Sequence, residues 1–124
     1  MTKPYDLRER SFVFACEIVA FCRLVADRGF IMCRLAGQLV DAGGSVGANL
    51  EEAAEGQSKA DFIAKNCIAL KEAREARFWL RVIRASEPSL KNRADPLIAE
   101  ASEFVAILIA TIKRARSNPD RGSK

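Results

Sequence analysis

Apolar residues recur along this chain at spacings of three and four, with little competition from strand-like alternation. Four helical segments follow. The first covers about residues 6–28, where Leu7, Phe14, Ile18, Phe21 and Val25 fall on one heptad seam and Ser11 is the polar exception. Asp6 and Glu9 form a capping-box-like pair at its start, and Arg28-Gly29 ends it. Phe12, Val13, Val19, Cys22 and Leu24 are apolar on other faces. The middle of this helix is thus apolar nearly all round, which one bundle seam does not require.

The second segment covers about residues 30–55. One seam is Met32, Leu35, Leu39, Ala42, Val46, Asn49 and Ala53; a second stripe is Cys33, Ala36, Val40, Gly43, Gly47, Leu50 and Ala54. Glycine costs about 1 kcal/mol against alanine inside a helix, so Gly43-Gly44 could instead be a turn. Both stripes stay in phase across the pair, which favours one helix whose small residues let a neighbouring backbone come close. Gly56-Gln57-Ser58 reads as a stop followed by a start, with Ser58 capping a third helix over about residues 58–86 and Asp61 as its partner. The third seam is Phe62, Asn66, Ala69, Ala73, Ala76, Leu80 and Ile83. Asp95-Pro96 reads as an N-cap followed by proline at the first helical position, opening a fourth helix over about residues 95–116. Phe104, Val105, Ile107, Leu108, Ile109 and Ile112 make that helix apolar on more than one side, and residues 117–124 form a frayed polar tail.

Short connections make consecutive helices antiparallel neighbours. The expectation is a single all-α domain over residues 1–124, an antiparallel up-down-up-down four-helix bundle. A monomer would expose the surplus apolar surface of the first and fourth helices, so self-association is expected, with Phe12 and Phe104 at subunit contacts.

Composition narrows the chemistry. The 124 residues carry a net charge of +4 and contain no histidine. That removes the commonest general base, the commonest zinc ligand and every Ser-His or Cys-His nucleophile arrangement. Cys16, Cys22, Cys33 and Cys67 have no CxxC spacing and lie in apolar stretches, where cysteine acts as a small hydrophobe. Unpaired cysteines fit a reducing compartment, and the polar residues 1–10 show no signal peptide, so a cytoplasmic location is expected. The weakly charged stretch from Ser11 to Cys22 is too short to span a membrane. Glu51, Glu52 and Glu55 cluster, but a di-iron bundle site wants Glu-x-x-His elements. A solvated acidic turn, or an acidic patch that meets a basic one across subunits, is the expected role, and neither cofactor, metal nor catalytic residue is expected.

From Ser45 the chain reads SVGANLEEAAEGQSKADF, followed by IAKNCIALKEAREARFWLRVI. This resembles the four-helix bundle family of 23S rRNA intervening-sequence proteins. The matching positions are Ser45, Val46, Ala48 and Asn49, then Ser58, Lys59, Asp61 and Phe62, with Lys71-Glu72-Ala73 and Trp79-Leu80 fitting a related branch. The resemblance implies a four-helix protomer assembled into a ring of five. The family includes proteins encoded within insertions in ribosomal RNA genes, and a retroelement accessory protein whose strongly basic ring binds nucleic acid and a reverse transcriptase.

Two functional readings remain. Lys71, Arg74, Arg77, Arg81 and Arg84 occupy a broad arc of the third helix, and repeated around a ring they would form a basic surface for phosphates. This is the leading reading: a non-catalytic homo-oligomer that binds RNA or DNA without sequence specificity, in support of a protein partner. The alternative is a protein-interaction scaffold in which Glu72, Glu75 and neighbouring subunits neutralise those arginines. Asn49 and Asn66 are polar on core seams, where each is expected to hydrogen-bond a neighbouring helix and fix register, with Ser45 sharing that task. Phe78 and Trp79 point to different faces; the spacing lets Phe78 interleave with the arginines as a stacking surface, and core or interface packing is the default.

Overall fold

The computed structural model describes residues 6–56 and 58–118. Among them are four α-helices and no strand: α1 Leu7–Ala26, α2 Phe30–Ala54, α3 Lys59–Ser86 and α4 Lys91–Ser117, with a 3₁₀ turn at Pro88–Leu90 before α4. Gln57 of the expected stop-start signal and residues 119–124 of the expected tail lie outside the described residues. No helix among the described residues is long and apolar enough to cross a membrane.

α1 begins where Asp6 takes an extended backbone and its carboxylate accepts from the Arg8 N–H at 2.9 Å. Glu9 makes no return bond among the described residues, so the cap is a single carboxylate and not a reciprocal box. The helix buries the expected seam, Ser11, Phe14, Ile18, Phe21 and Val25, together with Cys22. Gly29 joins it to α2 at φ 118°, a backbone region that side chains with a Cβ disfavour.

α2 runs unbroken through Gly43-Gly44. A Cβ on Gly43 would lie 3.0 Å from Ile18 Cγ2, and one on Gly47 would lie 3.1 Å from Ser11 Oγ. These glycines therefore admit α1, and the propensity they cost is offset by that close packing. The buried face draws on both expected stripes: Met32, Ala36, Leu39, Gly43, Val46, Leu50 and Ala53, with Ala42 and Gly47. Leu35 and Asn49 are half-buried, whereas Cys33, Val40 and Ala54 are exposed. The buried arc is centred between the stripes because α2 packs against α1 on one side and α3 on the other.

α3 is capped by Ser58, whose hydroxyl accepts from the Asp61 N–H at 3.1 Å. It buries Asn66, Ala69, Ala73, Ala76, Leu80 and Ile83, and Phe62 is half-buried. Three alanines in the middle turns let α2 and α4 pack along it.

α4 starts four residues earlier than the Asp95-Pro96 signal places it. Pro88-Ser89-Leu90 winds the chain into the helix, and Asp95 instead accepts from Arg84 and Lys91, both at 2.7 Å. Pro96 sits inside the helix, where it forgoes one backbone bond toward the exposed Asn92.

Phe104, expected at a subunit contact, is fully buried and packs edge-on against Phe14, with ring centroids 5.3 Å apart. Val105, Leu108 and Ile112 are buried as well, because α4 faces both α1 and α3. Of the large apolar residues on α4 only Ile109 is exposed, and the other exposed large apolar residues are on α1 (Phe12, Val13, Val19), α2 (Phe30, Ile31, Val40) and α3 (Ile68, Phe78). Arg10 completes the α1–α4 contact: it donates to Glu100 at 2.7 and 2.8 Å and to Glu103, and its guanidinium lies 5.4 Å from the Phe104 ring centre. These carboxylates hold Arg10 firmly protonated.

Candidate nucleic-acid interface

With its alanine seam turned inward, α3 carries its cations outward, spread over about 140° of the helix circumference. The structure divides the five expected residues into two groups. Arg77 and Arg84 cross to α4: Arg77 donates to Ser102 Oγ at 3.3 Å and Arg84 to Asp95. Lys91 and Arg84 together hold the Asp95 carboxyl below the usual carboxylate range. Lys71, Arg74 and Arg81 are exposed and make no hydrogen bond or ion pair among the described residues.

Phe78 stands among these three, four residues after Arg74, three before Arg81 and seven after Lys71, so all share one face. It is 52% exposed, and its ring meets the half-buried Trp79 ring edge-on at 5.0 Å between centroids. Glu75, four residues after Lys71 and three before Phe78, borders the arc on its Lys71 edge, and Glu72 lies farther round toward α2. Burial, then Glu75, raises the Glu72 pKa; Lys71 opposes the rise and Asp41 of α2 adds to it. Glu72 therefore belongs to an acidic α2–α3 side, away from the arginines.

α4 adds cations that reading α3 alone misses. Cys67 and Leu70 of α3 and Ile109, Ile112, Lys113 and Arg116 of α4 line a groove of about 480 Å³. Arg116 Nη2 lies 3.6 Å from Cys67 Sγ, which places the guanidinium over the α3–α4 seam. The seven-residue spacing of Ser102, Ile109 and Arg116 is the signal that would have found it, once Ser102 is known to face Arg77.

The remaining motif residues are structural within single helices. Ser45 Oγ donates to the Asp41 carbonyl, and Asn49 Nδ2 to the Ser45 carbonyl, both at 2.8 Å. Asn66, only 2% exposed, donates to the Phe62 carbonyl at 2.8 Å. Both amides thus bond back onto their own helix, one turn earlier, and not across to a neighbour as expected. A side chain four residues from a carbonyl on the same face reaches it without any help from a second helix. Asp61 contributes its backbone N–H to the Ser58 cap, and Phe62 lines a crevice with Leu7, Leu50 and Asn66.

Cys22 is buried, its Sγ 3.4 Å from the Ala36 carbonyl, and burial pushes its pKa up to about 12. Cys16 and Cys33 are exposed. Among the described residues no three His, Cys, Asp or Glu side chains converge as a metal ion would require. A second surface lies between α1 and α2, where Phe12, 60% exposed, borders a groove of about 220 Å³ floored by Ala15, Gly44, Gly47 and Ala48. Arg8, Ser11 and Glu51 also line it, adding one cation, one hydroxyl and one anion to an apolar strip.

The family model described as 23S rRNA-intervening sequence protein matches residues 3–110 of the chain. No curated protein matches it. A solved structure of a protein of unknown function from the S23 ribosomal protein family of Bacteroides thetaiotaomicron VPI-5482 is 33% identical. That alignment covers 87% of this chain and 99% of the other, with a TM-score of 0.79.

Proposed function

The chain belongs to the 23S rRNA-intervening sequence protein family, and from that premise we propose a cytoplasmic, non-catalytic homo-oligomer that binds nucleic acid without sequence specificity through α3. The observation that carries the reading is the set of exposed cations, Lys71, Arg74 and Arg81, with no ion pair among the described residues. Such cations bind phosphates by releasing condensed counterions, a term that depends on charge and not on sequence.

The architecture of this reading is an up-down-up-down bundle in a ring of five. Helices joined by a few residues fold back on one another. Arg28, just after α1, donates to Glu87 and Ser89, just after α3, and that proximity supports the alternation. The apolar face around Phe12, Val19 and Val40 supplies a contact for the next subunit, and rotation would repeat the α3 arc around the ring. One observation favours a second reading: the acidic side around Asp41, Glu72 and Glu75 offers a counter-charge for a neighbour's arginines, as in a scaffold closed by inter-subunit ion pairs.

Fluorescence anisotropy with labelled RNA and DNA across a salt series decides between the two. Binding should weaken steeply with salt, and Arg74→Ala with Arg81→Ala should lower the log–log slope by about 0.9 for each duplex phosphate no longer neutralised. No binding even at low salt refutes the reading and leaves the scaffold. For assembly, light scattering that returns the 13.6 kDa protomer mass refutes the ring, and Phe12→Glu should dissociate it.

A further inference from the structure

We infer that the α3 arc takes unpaired bases, so that its ligand is single-stranded nucleic acid, with Phe78 as the stacking surface. This rests on the nucleic-acid reading and narrows it. A face made only for a duplex backbone needs cations and nothing apolar between them. Here an exposed phenyl ring occupies the middle of the cation face, one helical turn from Arg74 and from Arg81 and two turns from Lys71.

The ring is also held. Its edge-on contact with Trp79, at 5.0 Å and 73° between planes, restricts its rotation, and Trp79 is itself packed against the core. A braced aromatic loses little further freedom on binding. Every base has a π-face but a duplex keeps those faces stacked inside, so only an unpaired base can cover Phe78 while Arg74 and Arg81 hold the flanking phosphates. Duplex would engage the cations alone. The chain has a single tryptophan, and its contact with Phe78 makes Trp79 emission a local reporter of anything laid on that ring.

The test compares a short labelled oligouridine with an RNA duplex of the same length, using the full-length assembled protein at low salt. Stacking of one base is worth about 5- to 150-fold in affinity. Phe78→Ala should lose roughly that factor for the single strand and leave duplex binding within about twofold, while Phe78→Tyr should retain single-strand affinity. The single strand, and not the duplex, should change Trp79 emission on saturation. Phe78 is outside the core, so circular dichroism should show both variants folded. Equal loss for strand and duplex, or no loss for either, overturns the stacking role while leaving a basic binding surface. Absence of binding to both probes overturns this inference and the reading beneath it together.

Discussion

Gly43 and Gly44 are neighbours in one helix, yet alanine at the two positions should move stability in opposite directions. Each glycine costs about 1 kcal/mol against alanine in a helix interior. At Gly44 a new Cβ meets nothing within 4 Å, so Gly44→Ala should recover that amount. At Gly43 the new Cβ would stand 3.0 Å from Ile18 Cγ2, 3.1 Å from Cγ1 and 3.3 Å from Cβ. Ile18 is fully buried and stiff about its first torsion, so relief requires α1 itself to move. Overpacking of this kind costs about 1–3 kcal/mol. After the propensity gain, Gly43→Ala should be about 0–2 kcal/mol less stable than the parent, and about 1–3 kcal/mol less stable than Gly44→Ala. Urea unfolding followed by far-ultraviolet circular dichroism, with unchanged m, measures the difference. Gly44 also lines the groove beside Phe12, so the pair should be repeated in Phe12→Glu protein, where assembly makes no contribution. A Gly43→Ala protein as stable as Gly44→Ala would refute the claim that Gly43 exists to admit Ile18.

The Arg10 clasp predicts that Arg10→Gln destabilises by about 2 kcal/mol, because Glu100 and Glu103 each lose a charge-assisted bond and Phe104 loses its cation; a change under about 0.5 kcal/mol in urea melts would refute it. Maleimide labelling followed by mass spectrometry should leave Cys22 unmodified until unfolding, since its thiol is buried and its pKa is pushed up to about 12. If the proposed oligomer packs through this face, Cys16 should label rapidly in Phe12→Glu protein and slowly in the parent protein, because it lies one turn from both Phe12 and Val19; equal rates would refute a subunit contact there. Glu72 has a raised pKa, so the folded chain holds its proton more tightly than the unfolded chain, and that advantage is lost as pH rises through the folded value. Glu72→Gln should therefore raise the melting temperature at pH 7, with the gain shrinking toward the ordinary carboxylate value near about 4.3. A loss at pH 7 would instead mean that a cation outweighs the burial of Glu72, either Lys71 of the same helix or one from a neighbouring subunit as the scaffold reading requires.

How legible each helix is from sequence depends on how many neighbours it serves. The α1 seam and the α3 seam from Asn66 to Ile83 are readable because each repeats at heptad spacing and is buried as a unit, even though both helices also carry apolar residues on other faces. The pattern of α2 shows two stripes, and the structure buries a mixture of both, since Gly43 and Gly47 let α1 rotate the buried arc toward themselves. That shift depends on the distance between two backbones, which no local pattern records. Asp95-Pro96 has the chemistry of a helix start, but a preceding turn at Pro88–Leu90 has already begun the helix, leaving Asp95 to pair with Arg84. The expectation for Phe104 fails for a related reason. A helix apolar on two sides signals either two partners within the protomer or one within and one outside, and only the closure of α4 onto Phe14 separates the cases. On the candidate site, the arc of α3 is visible from its spacing, whereas the contribution of Lys113 and Arg116 requires knowing which side of α4 meets Cys67.

The same folding explains why a net charge of +4 is a poor guide to what the surface offers. A total averages over faces, and this fold sorts them. Glu100 and Glu103 are committed to Arg10 on the α1–α4 side, and Asp41, Glu72 and Glu75 gather on the α2–α3 side. On the α3–α4 side, Asp95 is held by Arg84 and Lys91, while Lys71, Arg74 and Arg81 have no ion-pair partner among the described residues. Like charges one turn apart on a helix repel by a few tenths of a kcal/mol each, and here Arg74, Arg77, Arg81 and Arg84 stand at three and four residues in succession. Three alanines at the buried seam of the same helix offset part of that cost, since alanine has the best helix propensity of any residue. The result is a helix that can hold concentrated positive charge on its outer face and stay folded, and the cost of that repulsion falls when an anion binds. A protomer of modest total charge can therefore present a strongly basic face, and rotational repetition would multiply the face without changing the charge carried by each chain.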